Sequence, residues 1–174
     1  MSGLIHLYTG DGKGKTTAAL GLALRFAGHG KKVLIIQLCK GRDSGELHSL
    51  EKLPDIKVLR NSRDFGFWQS MTDENKAALK AENDENLLNA LRTAERGDCD
   101  LLVLDEITSA YANGALDREL CEKIVAEKPE GLELVLTGRN APEFMLQAAD
   151  YISEIKCIRH PYEKGISARE GAEF

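Results

Sequence analysis

The sequence lacks long hydrophobic runs and an excess of basic residues. No apolar run reaches the ~18 residues of a membrane-spanning helix, so we expect no contact with a membrane. The N-terminus also lacks the basic and apolar segments of a secretory signal. The net charge is −5, from 23 basic and 28 acidic residues, whereas binding to a nucleic-acid backbone needs clustered basic side chains. We therefore expect no nucleic-acid partner.

Cysteines are few and far apart. Cys39, Cys99, Cys121 and Cys157 form no CxxC pair, which argues against a zinc site of that kind. Three of the four lie in or beside apolar runs, which predicts buried, reduced thiols. Reduced thiols are typical of the cytoplasm, where we expect this protein to reside.

Short segments rich in Val, Ile and Leu alternate with segments of helical periodicity. Near-continuous apolar character predicts strands buried on both faces of a parallel sheet. The predicted strands are residues 4–9, 33–38, 57–60, 101–105, 132–137 and 151–158. The predicted helices are residues 15–27, 73–96, 116–127 and 142–149. The alternation indicates a three-layer α/β fold with a mostly parallel central sheet, and a length of 174 residues predicts one domain, residues 1–174.

Residues 9–17 combine three glycines with two lysines, between a predicted strand and a predicted helix. The general phosphate-binding pattern is Gly-x-x-x-x-Gly-Lys-Ser/Thr, and Gly14, Lys15 and Thr16 match its end. The first glycine of the pattern falls on Thr9, with Gly10 one place later. The order of strand, loop and helix is the context that this motif requires.

The chemistry of this loop suits a nucleotide. Glycines let backbone amides converge on one anion, and the N-terminus of the following helix points at the same place. Lys15 adds a positive charge, Lys13 adds a second, and the hydroxyl of Thr16 is a possible ligand for Mg²⁺. The loop therefore predicts binding of ATP or GTP with Mg²⁺.

Two acids end the apolar run of residues 101–105. Asp105 closes the predicted strand and Glu106 follows it. An acid at the end of a buried strand is the usual second half of a nucleotide site, and either carboxylate could hold Mg²⁺ directly or through water. The two motifs do not determine the reaction, because many chemistries use this fold.

Several further segments carry a resemblance, in order along the chain. They are residues 8–25, 28–33, 37–41, 45–46, 103–106, 136–142, 149–150, 159–165 and 171–174. In these segments the sequence resembles the P-loop type of ATP:corrinoid adenosyltransferases, and the likeness spans essentially the whole chain. That family tolerates Thr where the general loop has its first Gly, as at Thr9.

The resemblance implies a RecA-like P-loop fold, often in a homodimer. It also implies transfer of the 5′-deoxyadenosyl group of ATP to the Co(I) of a reduced corrinoid, with release of triphosphate, in vitamin B12 coenzyme biosynthesis or salvage. The family binds ATP turned around relative to most P-loop enzymes, so that the ribose carbon faces the second substrate. An external flavoprotein-type reductase is the implied source of electrons.

The resemblance further implies roles for individual residues. Lys15, Lys13 and Glu106 are the implied catalytic residues, because charge develops on the departing triphosphate. Thr16 and Glu106 are the implied ligands of Mg²⁺. Lys40 and Glu46 lie in family-like motifs without an assigned contact. The implied ATP-binding residues are Gly10, Asp11, Gly12, Lys13, Gly14, Lys15, Thr16, Thr17, Arg25 and Arg139.

An aromatic cluster lies within residues 61–71. Phe65, Phe67 and Trp68 resemble the family region whose aromatic side chains press on the lower face of the corrin ring, exclude the axial ligand and raise the cobalt potential. The family spacing places one residue between Phe and Trp, whereas Phe67 and Trp68 are adjacent here. Either Phe65 or Phe67 therefore fits the role of the wedge. The alternative is a hydrophobic plug that fixes this segment to the core.

Some family members carry an N-terminal extension that folds over the active site. Because the first strand is predicted from residue 4, we expect any cover to come from another segment or from the corrinoid. Two other functions stay open at this point. One is a phosphotransferase or ATPase acting on the γ-phosphate, with Glu106 as the obvious candidate base. The other is a non-catalytic nucleotide-gated module whose aromatic cluster binds a protein partner.

Overall fold

The computed structural model describes residues 2–173, which form six β-strands in one sheet. The strands are β1 (Ile5–Thr9), β2 (Val33–Gln37), β3 (Ile56–Arg60), β4 (Leu101–Asp105), β5 (Glu133–Thr137) and β6 (Tyr151–Glu154). Their order is β3-β2-β4-β5-β1-β6, and every neighbouring pair is parallel. The predicted α/β fold is confirmed, and the sheet is parallel throughout rather than mostly so.

Six α-helices connect the strands of the described chain. They are α1 (Lys15–Ala27), α2 (Gly45–Leu50), α3 (Asp73–Glu95), α4 (Ile107–Asn113), α5 (Arg118–Ala126) and α6 (Glu143–Ala148). Short 3₁₀ turns occur at Trp68–Ser70 and Pro161–Lys164. Within residues 2–173, no helix is both long enough and apolar enough to span a bilayer.

The helices lie in two layers, one on each face of the sheet. Helix α1 packs against one face through Ala19 and Ala23, with Leu50 of α2 beside them. Helices α3 to α6 cover the opposite face. The central strands β2 and β4 are buried along their whole length, as near-continuous apolar runs predict. Strand β6 is different: it forms an edge of the sheet, and its four residues are exposed.

The differences from the predicted elements have local causes. Strand β6 ends at Glu154 rather than at residue 158, because the chain then turns toward the phosphate loop and Ile155 accepts a hydrogen bond from the amide of Gly12. The short helices α2 and α4 were not predicted, since one or two turns carry little periodicity. Helix α1 has the predicted bounds, ending before Gly28.

The thiols differ from the expectation in part. Cys99 and Cys121 are buried, and burial raises the pKa of Cys99 to about 11 and of Cys121 to about 12, so both remain protonated. Cys39 is exposed and Cys157 is partly exposed, so the prediction of buried thiols was wrong for Cys39. Cys39 lies two residues after the end of β2, next to the buried Leu38, in a left-handed conformation with φ 57°. The residue is exposed, although its Sγ accepts a hydrogen bond from Nδ2 of Asn83 (3.6 Å).

A buried amide holds this turn in place. Asn83 of α3 is fully buried, and its Oδ1 accepts hydrogen bonds from the amide of Cys39 (3.4 Å) and from Nδ2 of Asn61 (3.0 Å). Its Nδ2 donates to the carbonyl of Ala115 (2.7 Å). Asn61 in turn accepts from the amide of Lys40 (3.1 Å) and donates its own amide to the Lys40 carbonyl (3.3 Å). The backbone that carries Lys40 is therefore fixed from two sides.

We predict that Asn83→Ala lowers the free energy of unfolding by about 2–4 kcal/mol, because buried partners lose their hydrogen bonds and a cavity forms. Urea unfolding followed by circular dichroism measures the loss. Asn89→Ala on the same helix is the matched control, since Asn89 is partly exposed and its side chain bonds to no residue in 2–173. Equal stability of the two variants would contradict a supporting role for Asn83.

Candidate active site

The phosphate loop joins β1 to α1, and glycine has a positive φ at two of its positions. Gly10 has φ 103° and Gly14 has φ 117°, both in the left-handed region that side chains disfavour. Gly10 also lies so close to the backbone of Ile155 that an added Cβ would come within 2.4 Å of its carbonyl oxygen. The amide of Gly12 donates to the same oxygen (2.8 Å). The loop is thus held in contact with the segment that follows β6.

Asp11 adds a further contact between the loop and the segment that follows β6. Its carboxylate accepts a hydrogen bond from the amide of Cys157 (3.0 Å), and that bond is the main reason why the pKa of Asp11 lies below its ordinary value. Asp11 was predicted to bind ATP, and the structure gives its side chain an anchoring contact within the protein. Its backbone still belongs to the loop.

Lys15 lies at the base of the loop. Its side chain is buried, and Nζ donates to the carbonyl of Gly12 (2.7 Å). Burial lowers the pKa of the Lys15 ammonium below its ordinary value, and the nearby carboxylate of Glu106 opposes that shift. The loop thus holds a largely desolvated positive charge, which interacts with an anion more strongly than a solvated one does.

Asp105 is the centre of the polar contacts at this end of the sheet. Its Oδ1 accepts from the hydroxyls of Thr16 (2.9 Å) and Thr137 (2.6 Å), and its Oδ2 accepts from Nζ of Lys40 (2.6 Å). Lys40 Nζ also donates to Thr16 Oγ1 (3.1 Å). The Asp105 side chain is 2% exposed, so this charge depends on its partners.

Glu106 follows Asp105 in a left-handed conformation with φ 62°, which turns the chain from β4 into α4. Its amide donates to Thr137 Oγ1 (2.9 Å), and its carboxylate accepts from Ser109 Oγ (2.8 Å). This carboxylate faces the same cavity as Thr16 and Lys15. Both acids of the predicted pair therefore lie at the site, in different positions: Asp105 bonds directly to Thr16, and Glu106 faces the open space.

A cavity of about 740 Å³ lies over the loop, and this volume is in the range of cofactor sites. The loop, α1, α2 and the C-terminal segment contribute to its walls. The lining residues are Asp11, Gly12, Lys13, Gly14, Lys15, Thr16, Thr17, Leu20, Lys40, Gly45, Glu46, Ser49, Glu106, Arg139, His160, Gly171, Ala172 and Glu173. The structure therefore brings together most of the predicted ATP-binding residues.

The C-terminal segment reaches the rim of this cavity. Lys13 Nζ donates to the carbonyl of Ala172 (2.5 Å) and to the carboxylate of Glu173 (3.2 Å). Arg169, and to a lesser extent Lys13, lower the pKa of Glu173 to about 2, so this carboxylate is charged at neutral pH. The charge of Lys13 is thus partly balanced within the protein, which the loop motif alone did not indicate.

The two predicted arginines lie in different places. Arg139 follows β5 and lines both the cavity over the loop and a neighbouring cavity of about 900 Å³ that reaches Thr9 and Ile158. Arg25 lies in the last turn of α1, ten residues beyond Lys15 or roughly 15 Å along the helix. Arg25 lines neither of these two cavities. The structure does not place Arg25 in the wall of the cavity over the loop.

The aromatic cluster divides into an exposed and a packed part. Phe67 is 78% exposed, whereas Trp68 is half-buried against the core that contains α3. Phe65 is half-buried under the guanidinium of Arg63, 4.5 Å from its ring centre. A third cavity of about 310 Å³ has Phe67 in its wall, and it shares Lys40, Glu46 and Glu173 with the cavity over the loop. An exposed aromatic ring thus lines a cavity that adjoins the one over the loop.

The whole chain matches one family model. The model is described as "ATP:corrinoid adenosyltransferase BtuR/CobO/CobP", and the match covers residues 1–174. The chain belongs to this family. The resemblance seen in the sequence is therefore confirmed at the level of the family.

Curated relatives agree with the family model. Corrinoid adenosyltransferases from Escherichia coli K12 and Salmonella typhimurium are 34% and 33% identical over 99% of this chain and 86% of their own length. One from Pseudomonas aeruginosa is 32% identical over 99% of this chain and 84% of its own length. A KaiC-like protein from Pyrococcus horikoshii OT3 has a TM-score of 0.57 at 18% identity, covering 89% of this chain and 72% of that chain. The likeness confirms the RecA-like P-loop fold.

Two polar residues of the adenosyltransferase site carried little signal in the sequence. Thr137 ends β5 and bonds to both Asp105 and Glu106, but a threonine at the end of a strand is common. Lys40 follows β2 by three residues, and only its place in a family-like motif marked it. Both reach the site because the carboxyl ends of parallel strands meet at one edge of the sheet.

We predict that Gly10→Ala weakens ATP binding by this adenosyltransferase about 5- to 150-fold, because strain of about 1–3 kcal/mol is relieved by moving the loop away from Ile155. Titration with a fluorescent ATP analogue measures the effect. Gly114→Ala is the matched control, since Gly114 has φ 68° but open space where a Cβ would lie. Unchanged affinity in the Gly10 variant would show that contact with Ile155 does not shape the loop.

Proposed function

We propose that this chain transfers the 5′-deoxyadenosyl group of ATP to the Co(I) of a reduced corrinoid and releases triphosphate, in the formation of the B12 coenzyme. The observation that carries the proposal is family membership along the whole chain, residues 1–174. The phosphate loop and the adjoining cavity beside Phe67 support it, because the reaction needs a triphosphate and a corrinoid close together.

The step is a displacement at carbon. The Co(I) electron pair forms the cobalt–carbon bond at C5′, the C5′–O bond breaks, and its electrons leave with the triphosphate. Co(I) carries no proton, so no general base is required. The protein must hold the reactants in contact and stabilise charge on the leaving group. The buried ammonium of Lys15 and the amides of the loop suit the second task.

Magnesium fits the residues at the loop. Mg²⁺ prefers oxygen ligands and usually keeps several waters, with one or two protein oxygens and phosphate oxygens completing its shell. The hydroxyl of Thr16 and the carboxylates of Asp105 and Glu106 supply hard oxygens at this place. Within residues 2–173 no group of three or more His, Cys, Asp or Glu could form a protein-only metal site. When bound with ATP, the ion would offset charge on the triphosphate.

We assign the wedge against the corrin ring to Phe67. Its side chain is the exposed one of the cluster and lines the cavity of about 310 Å³, which adjoins the cavity over the loop. Trp68, packed against the core and 5.5 Å from Lys76 Nζ, fixes the segment that carries Phe67. The wedge and the plug are then two neighbouring side chains with separate tasks.

Assembly and partners complete the proposal. We propose a cytoplasmic, single-domain protein that forms a homodimer and receives Co(I) through an external flavoprotein-type reductase. The free edge of β6, with Tyr151 and Ile152 about half exposed, supports self-association, because an unpaired apolar edge strand favours pairing. The unpaired thiols among the described residues agree with a reducing compartment.

We predict that ATP, Mg²⁺ and chemically reduced cob(I)alamin, incubated without oxygen, yield a cobalt–carbon product with one triphosphate per corrinoid. Lys15→Met should slow this reaction about 10²–10³-fold, a loss of about 3–4 kcal/mol of transition-state stabilisation. Lys13→Met is the matched control and should lose less, since Lys13 is half-exposed and paired with Glu173. Phosphate or ADP with an unchanged corrinoid would instead indicate a phosphotransferase or ATPase.

We predict that Phe67→Ala loses activity mainly when the assay starts from cob(II)alamin and a reduced flavoprotein. With cob(I)alamin prepared chemically, the variant should keep most of its rate, because the wedge acts on reduction and not on alkyl transfer. Phe65→Ala is the comparison, and it should change neither assay strongly, since Phe65 packs under Arg63. The reverse pattern would assign the wedge to Phe65.

A further inference from the structure

The ammonium of Lys40 occupies the place between the hydroxyl of Thr16 and the carboxylate of Asp105. Its Nζ lies 3.1 Å from Thr16 Oγ1 and 2.6 Å from Asp105 Oδ2. These two oxygens are protein ligands that a magnesium ion at the loop would use. A lysine and a divalent cation cannot both lie at this point.

We propose that Lys40 is the exchangeable cation of the metal position: it neutralises Asp105 while the protein is free of nucleotide and is displaced when the metal enters with ATP. This proposal rests on the proposed function, in which Thr16, Asp105 and Glu106 supply the oxygens at the magnesium position. It gives Lys40 a positioning role, because it keeps the oxygens together before the substrate arrives.

The need for such a cation follows from burial. Asp105 is almost fully buried, and its remaining partners, Thr16 and Thr137, are neutral hydroxyls. Burying a carboxylate without a positive partner is costly, so a cation beside Asp105 stabilises the protein. With Lys40 in place, the carboxylate is satisfied and the site has little attraction for a metal without phosphate.

The surroundings allow the side chain, and not the backbone, to move. The amide and the carbonyl of Lys40 are both bonded to Asn61, which fixes the main chain. The side chain is 30% exposed and lies in the wall shared by the nucleotide cavity and the cavity beside Phe67. The ammonium can therefore leave Asp105 by turning into open space.

The side chain of Gln37 supports a second state of the site, in which a hydrated cation replaces the Lys40 ammonium beside Asp105. Gln37 pairs in register with Asp105 across β2 and β4, and strand alternation puts both on the face that packs against α1. Gln37 is 1% exposed, and its side-chain oxygen and nitrogen have no hydrogen-bond partner within residues 2–173. Unpaired buried amides are rare. A hydrated cation next to Asp105 would supply partners that the ammonium does not.

Binding of Mn²⁺ alone, measured by the loss of its free electron paramagnetic resonance signal, tests this proposal. Neither ATP nor corrinoid is present, so failure of adenosyl transfer would leave the result unaffected. Wild-type protein should bind Mn²⁺ weakly, and Lys40→Met and Lys40→Gln should each bind it about tenfold more tightly or better. Adding Asp105→Asn to Lys40→Met should abolish the gain.

Lys31→Met is the matched control, because Lys31 pairs with Asp100 at the other end of β2 (3.2 Å) in an exposed position. It should bind Mn²⁺ as the wild type does. Equal affinity of the Lys40 variants and the wild type would overturn the proposal, as would a gain that persists without Asp105. Tight binding by the wild type itself would also overturn it, and that measurement does not depend on whether either variant folds.

Discussion

The buried charge of Asp105 is the constraint on which this end of the molecule depends. A carboxylate at the end of a central strand must find partners, because its desolvation is costly. It finds them in three other segments: Thr16 of α1, Thr137 of β5 and Lys40 after β2. Satisfying one charge therefore brings the phosphate loop, two strand ends and the Lys40 segment to a single point. The cavity over the loop and the cavity beside Phe67 both have Lys40 in their walls.

The features that the sequence predicted well are those set by local chemistry. Helix α1 starts at a phosphate motif and stops at glycine, so both of its bounds were predicted. Strand β4 is apolar at every position until Asp105, which only a strand buried on both faces tolerates. The family resemblance supplied the reaction and marked Phe65, Phe67 and Trp68 as a group, but no pattern could rank their exposure. That ranking depends on how Trp68 meets the core and how Arg63 covers Phe65.

The features that were missed depend on contacts between distant segments. Asn83 lies in a helix of mainly polar residues, and nothing in its spacing indicated a buried position that holds the Lys40 turn. Lys13 was predicted as the second positive charge of the loop, but its contacts with the carbonyl of Ala172 and the carboxylate of Glu173, at the other end of the chain, were not predicted. Arg25 lies in a family-like motif, yet helix geometry carries it to the far end of α1.

The hydrogen bonds between the phosphate loop and residues 155–157 limit the sequence changes that this segment tolerates. Every hydrogen bond that ties this segment to the loop uses its main chain: the amide of Ile155 to Thr9, the carbonyl of Ile155 to Gly12, and the amide of Cys157 to Asp11. Such contacts are indifferent to most side chains, but they require an amide at each donor and a fixed distance along the backbone. The segment therefore tolerates most residue types, except proline at the two positions whose amides donate. A single insertion or deletion would break the contacts that hold the loop. In an alignment of related chains, this segment would vary in residue type but keep a constant length.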